Sequence, residues 1–167
     1  MIVVTSLRHA AQQVAATKAK SVISILSPDS EFPTFETVGG DDHLQLSFHD
    51  VAAPSPHLSA PGMHDMMRLL MFLRSWDRAT PMLIHCWAGI SRSTASAYIA
   101  TCLLQPERSE RELAQNLRRA SPSATPNPML IKLADEALGR EGRMRVAIAD
   151  FGRGEDEFEG SPFILGV

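Results

Sequence analysis

Cys86 and Arg92 stand six positions apart, with Trp87-Ala88-Gly89-Ile90-Ser91 between them. The apolar run Met82-Leu83-Ile84-His85 precedes them and the small-residue stretch Ser93 to Leu104 follows. The run has the length and composition of a buried strand and the stretch that of a helix, so residues 86–92 are expected at a strand-to-helix turn. At such a turn the loop N–H groups converge, and with the positive end of the helix they make a nest for a tetrahedral dianion that needs no metal. The same field favours Cys86 as a thiolate nucleophile. The planar fork of Arg92 suits two phosphoryl oxygens at once, as a lysine point charge would not. Ser93 can place its hydroxyl beside the sulfur and stabilise it as a leaving group. Taken singly, Cys86 would read as a small buried hydrophobe and Arg92 as a surface charge. With the strand, Gly89 and the helix around them, they read as a phosphate trap with sulfur at its base.

The elements that must hold this loop follow from periodicity. Ile2 to Thr5 reads as a strand, Leu7 to Lys20 as a helix, and Ser21 to Ser27 as a second strand closed by Pro28. Asp29 to Asp42, with Pro33 and Gly39-Gly40, reads as an exposed loop or loose hairpin and a candidate pocket wall. His43 to Phe48 alternates as a third strand, delivering His49-Asp50 at its C-terminal end, the end where open parallel sheets bind ligands. Gly62 to Trp76 is an amphipathic helix whose methionines are expected in the core. Met82 to His85 forms the fourth strand, and the helix from Ser93 to Leu104 is apolar nearly all round, as a central helix should be. Ser109 and Glu112 form a capping box for a helix ending near Ala120. Asn127-Pro128 opens another helix that reaches Leu138 and stops at Gly139. The expected fold is α/β: a single domain with a central, mostly parallel sheet of about four to five strands and helices on both faces. Residues 1–142 are expected to form the domain and 143–167 a C-terminal arm on it or on a second subunit, or a flexible tail.

Composition bounds the function. The chain has 167 residues, 44% hydrophobic and 21% charged, enough for one domain with a sizeable core. A net charge of −3 offers no basic footprint for nucleic acid. No apolar run approaches the roughly 18 residues of a membrane span, and the N-terminus lacks a secretory pattern, so a cytoplasmic protein is expected. Cys102 would lie roughly 14 Å along the helix from the loop, beyond disulfide reach, and is expected to be buried and inert. The six histidines show no ligand spacing with the cysteines, so neither metal nor cofactor is expected.

The sequence His85-Cys86, five residues, Arg92-Ser93 resembles the signature of the cysteine-dependent protein tyrosine phosphatases. The wording Cys86-Trp87-Ala88-Gly89-Ile90-Ser91-Arg92-Ser93 is most similar to the dual-specificity branch, in a dual-specificity-like bacterial tyrosine phosphatase. The resemblance implies that the Cys86 thiolate takes the phosphoryl group while Arg92 and the N–H groups of residues 87–91 bind it. An aspartate on a separate loop then protonates the departing oxygen and later activates water, and His85 orients the loop. It also implies that Asn127, in Pro126-Asn127-Pro128, braces the phosphate loop; as a residue type it equally suits a helix N-cap.

A departing phenolate or alkoxide needs a proton, and general acid catalysis is worth roughly 10²–10⁴-fold. Asp50 is the choice, since it follows a strand expected to neighbour the Cys86 strand and precedes the flexible Ala52 to Pro56 segment. Asp41 and Asp42 should project from the opposite end of that strand, and Asp65 belongs to the first turn of a helix. His49 is expected as a solvated flank. In the family it resembles, restriction to phosphotyrosine goes with deep walls built by long insertions, and this nearly minimal chain is instead expected to have a shallower pocket that accepts phosphotyrosine in a protein or peptide, with phosphoserine and phosphothreonine also open. Phe32, Phe35 and Trp87 are candidate walls. The loop carries no lysine to offset extra phosphates, which disfavours phosphoinositides. Two competing readings are a phosphopeptide-binding module that has lost turnover and a rhodanese-like sulfur transferase.

Overall fold

Strands covered on both faces must be apolar on both, and three segments of this chain meet that demand. The computed structural model describes residues 1–167. In chain order it contains β1 (Ile2–Ser6), α1 (Leu7–Thr17), β2 (Ser21–Leu26), β3 (His43–Ser47), α2 (Met63–Ser75), β4 (Met82–Cys86), α3 (Arg92–Leu104), α4 (Glu110–Ala120), α5 (Pro128–Ala137), α6 (Arg143–Phe151) and β5 (Phe163–Leu165). The sheet order is β3-β2-β4-β1-β5, with β5 the antiparallel member, paired to β1. Every residue of β1, β2 and β4 is buried, whereas β3 buries Leu44 and Leu46 and exposes Gln45 and Ser47.

That difference sets the strand order. β3 can afford an edge position and β2 cannot, so β2 lies between β3 and β4. The expectation that the Asp50-bearing strand neighbours the Cys86 strand is therefore corrected. On one face, Ala10 and Val14 of α1 pack against Val3, Val22 and Leu83. The opposite face, including Val4, Ile23 and Ile84, meets Met66, Leu69 and Leu73 of α2 and the small residues of α3. All residues from Arg92 to Cys102 are buried, so α3 is the central helix.

Residues 143–167 supply α6, which lies against α4 and α5, and the edge strand β5, in which Phe163 pairs with Val4 and Leu165 with Ile2. α1 stops three residues short of Lys20 because Lys18 turns into the left-handed region, with φ 56°. Of the α2 methionines only Met66 enters the core; Met63, Met67 and Met71 form an exposed stripe at four-residue spacing. No helix is long and apolar enough to cross a membrane.

One charged cluster fastens the helical layer. Glu110, at the start of α4, is buried and accepts from Arg140 Nη1 and Arg143 Nε, each at 3.1 Å. Burial alone would raise its carboxyl, but backbone and Arg143 hydrogen bonds and the two guanidinium charges hold it below its ordinary value. Removing one partner of a buried pair leaves the other uncompensated. Glu110→Ala is expected to lower stability by about 3 kcal/mol, and Glu110→Gln by less because it keeps an acceptor. Urea unfolding should show this as a lower midpoint with an unchanged slope.

Candidate active site

The loop between β4 and α3 is held by its carbonyl groups. Trp87 O accepts from Leu7 N at 3.2 Å, Ala88 O from Gly160 N at 2.9 Å, Ile90 O from Thr125 N at 2.9 Å, and Ser91 O from Ala95 N at 2.9 Å and Asn127 N at 3.3 Å. Thr94 Oγ1, one turn into α3, donates to the carbonyls of Ile90 and Ser91. Because each carbonyl shares a peptide unit with the next residue's N–H, these ties fix the orientation of the Ala88, Gly89, Ser91 and Arg92 amides, and the N–H groups of Trp87, Ala88, Ile90 and Ser91 have no protein acceptor. Gly89 alone makes the turn possible: its φ is +75°, and a Cβ there would lie 2.8 Å from Ser6 N.

Cys86 ends β4 at the centre of this ring. Its Sγ accepts from Gly89 N at 3.3 Å and lies 3.2 Å from Ser93 Oγ. Arg92, the first residue of α3, is buried, and its Nη1 donates to Phe48 O at 2.8 Å. Its Nε is a buried donor with no hydrogen-bond partner. An orphaned charged donor of this kind costs free energy unless an anion meets it. Nε also lies 3.8 Å from Asp50 Oδ2.

Although one strand removed from β4, Asp50 reaches the site because the chain leaving β3 crosses the end of β2. Its Oδ1 accepts from Ser91 Oγ at 2.8 Å and Asn127 Nδ2 at 2.7 Å. Asn127 has both positions open to it: Oδ1 caps α5 by accepting from Met129 N and Leu130 N, each at 3.0 Å, while Nδ2 also donates to Val51 O at 3.0 Å. The rival carboxylates are elsewhere. Asp41 and Asp42 sit in a turn before β3, and Asp65 accepts from Gly62 N at 2.9 Å at the start of α2. His49 is a half-buried flank: its Nδ1 accepts from Ser59 N at 3.0 Å and its N donates to Ser59 O at 2.7 Å, which closes the base of the loop after Asp50.

His85 lies under the loop, fully buried. Its Nε2 is 2.6 Å from Ser24 Oγ, which is also 2.7 Å from Nε2 of the half-buried His43. Phe35 stacks edge-on near both rings and so belongs to the core rather than to the pocket wall. Burial lowers the His85 pKa to about 4; the Cys86 backbone opposes this, and His43 adds to it. His85 is thus a neutral hydrogen-bonding group at physiological pH. Cys102, by contrast, has its thiol pushed up to about 12, chiefly by burial, and is unsuited to nucleophilic chemistry.

A cavity of about 460 Å³ opens above Cys86, with Asp50, Trp87, Ser91 and Arg92 in its walls. Phe32 is absent from that lining; besides Ala88 and Ile90 of the loop, four residues not singled out from the sequence line it: Ser27, Ser30, Glu157 and Phe158. Ser27 and Ser30 follow β2 and fall within reach of the loop suspected as a wall. Glu157 and Phe158 arrive from a segment about 70 positions beyond the loop, and no local pattern marks them.

The family model described as protein-tyrosine phosphatase matches residues 48–124, the stretch holding Asp50, Cys86, Arg92 and Ser93. Among solved structures, human DUSP28 is 20% identical with a TM-score of 0.63, covering 84% of this chain and 94% of that one. DUSP15 is 21% identical with a TM-score of 0.60, covering 90% and 92%. PTPMT1 in complex with PI(5)P is 14% identical with a TM-score of 0.59, covering 91% and 95%. At such identities the structural likeness is one of fold. No curated protein matches the chain.

The buried imidazole has a consequence for stability. With its pKa lowered to about 4 from 6.5, His85 binds fewer protons folded than unfolded between those values. Stability therefore rises with pH through that window and is lost as pH falls from 6.5 to 4, by about 3 kcal/mol from this residue. Denaturant unfolding at pH 7 and pH 4.5 should show a smaller difference for His85→Gln than for wild type.

Proposed function

We propose that this chain of the cysteine-dependent protein tyrosine phosphatase superfamily hydrolyses phosphotyrosine in proteins or peptides through a phosphocysteine intermediate. The observation that carries this reading is that one cavity is lined by Cys86, by the buried Arg92, whose Nε makes no hydrogen bond, and by loop residues whose N–H groups also lack acceptors. A bound phosphoryl group would satisfy all of them together, in a site of low dielectric where such bonds are strong.

In the first step the Cys86 thiolate attacks phosphorus, the bond to the phenolic oxygen breaks, and that oxygen takes a proton from Asp50. Because Oδ1 of Asp50 is engaged by Ser91 and Asn127, Oδ2 is the atom that carries the proton. In the second step Asp50 takes a proton from water, the water oxygen attacks phosphorus, and the sulfur departs as thiolate. The Ser93 hydroxyl, 3.2 Å from Sγ, stabilises that leaving thiolate by donating to it. His85 acts from below as a neutral positioning residue. PTPMT1 was solved with PI(5)P; here the cavity holds one cation, Arg92, against the carboxylates Asp50 and Glu157, which suits a single phosphate better than several.

Wild-type protein is expected to turn over p-nitrophenyl phosphate and Cys86→Ser to lose that activity fully. If wild type releases no p-nitrophenol yet binds phosphopeptides as Cys86→Ser does, the phosphopeptide-binding module replaces the enzyme reading. Asp50→Asn is expected to lower kcat by about 10²-fold for phenyl phosphate, whose leaving group needs a proton. It should change little for an aryl phosphate whose phenol is already strongly acidic. Equal loss on both substrates would remove Asp50 from the acid role.

A further inference from the structure

The segment after α6 returns to the phosphate loop and is fixed there. Gly154 N donates to Thr125 Oγ1 at 3.1 Å, Glu155 N to Pro122 O at 3.0 Å, and Gly160 N to Ala88 O at 2.9 Å. A Cβ on Gly160 would come within 3.0 Å of Gly89 O, so the segment lies flush on the loop. Glu159 accepts from Ser6 Oγ and lies 3.3 Å from His9 Nδ1 and 3.8 Å from Arg8 Nη1. Between these ties Phe158 stands 92% exposed, beside Trp87 at 61%. Exposed aromatic rings flanking a cavity are an apolar surface in want of a partner.

A second cavity of about 300 Å³, which Cys86 does not line, is walled by Leu7, Arg8, Trp87, Ala88, Phe158 and Glu159. Trp87, Ala88 and Phe158 line both cavities, so the second is continuous with the phosphate site. Its volume suits one side chain better than a whole ligand. Its two charged members are near enough to neutralise each other, and the remaining walls are apolar.

We infer that this cavity is a substrate subsite that takes an apolar side chain, aliphatic or aromatic, adjacent to the phosphorylated residue of a peptide. The inference rests on the phosphatase reading for the identity of the first cavity's occupant. Phe158 is then a specificity-determining residue, delivered by the C-terminal segment rather than by any loop near Cys86. A charged neighbour would have to shed water against Leu7 and the two rings, so selection runs against it.

The test uses full-length Cys86→Ser protein, which binds without turnover, titrated with phosphotyrosyl peptides that differ only beside the phosphotyrosine: leucine, glycine or lysine. The change in fluorescence reports occupancy through Trp87, which lines both cavities, while Trp76, buried and bonded to Thr80 O away from them, adds a constant background. The leucine peptide is expected to bind about tenfold tighter than the glycine peptide, and lysine no better than glycine. Adding Phe158→Ala, at a position too exposed to disturb folding, should cut the leucine advantage to about twofold, and Phe158→Leu should restore much of it. Equal binding of the leucine and glycine peptides, or an advantage that survives Phe158→Ala, overturns the subsite. Binding of no phosphopeptide overturns it together with the phosphatase reading. Apolar preference without wild-type turnover overturns the phosphatase reading alone.

Discussion

The outward pull on four carbonyl groups is the constraint from which the rest of this site follows. A peptide unit has one donor and one acceptor on opposite sides, so fixing the acceptor aims the donor. The acceptors of Trp87, Ala88, Ile90 and Ser91 are taken by donors from four separate places: the start of α1, the segment before β5, the connection between α4 and α5, and α3 itself. The sheet, the central helix and the C-terminal segment therefore meet at one loop, and each contributes a bond that turns N–H groups toward the sulfur. Arg92 is treated alike: one nitrogen is pinned to Phe48 O, and another is left buried and unmatched. The protein stores unsatisfied donors where an anion would settle them.

Asn127 shows how the fold couples the 86–92 loop to Asp50. A single amide caps α5 through its oxygen and grips Asp50 through its nitrogen, while its backbone N–H reaches Ser91 O. Displacing α5 would thus loosen the 86–92 loop and the Asp50 loop together. The edge position of β3 matters here as well, because the chain that leaves it must pass over β2 to bring Asp50 within 3.8 Å of Arg92.

Much of this was legible in the chain. Four of the five strands, five of the six helices and the central placement of α3 follow from periodicity, caps and apolar runs, and the loop itself from the spacing of Cys86, Gly89 and Arg92. The family match over residues 48–124 agrees with the resemblance carried by that loop. What escaped has identifiable causes. β5 has three residues, too few for a period to show, and it becomes a strand only because β1 offers it an edge. Strand order depends on which run can bear solvent on one side, and β3's alternation was visible but not used to place it at the edge. Phe35 looked like a wall because aromatic residues in a loop suggest one, whereas its ring is drawn under the sheet end by His43 and His85. Phe158 and Glu157 are close to Cys86 only through the return of the chain, and no spacing records that.

The antiparallel seam between β1 and β5 has a bearing on biogenesis. β1 is synthesised about 160 residues before β5, and on one side its hydrogen-bonding groups find no mate until residues 163–165 follow. Until then the nascent polypeptide presents Ile2, Val3 and Val4 along a naked β-edge, a template for promiscuous strand addition. Over that same interval Ala88 lacks the amide of Gly160. Completion of the bonds that hold the 86–92 loop and concealment of the adhesive margin are thus coupled, since both wait on docking of the segment from Gly160 to Leu165.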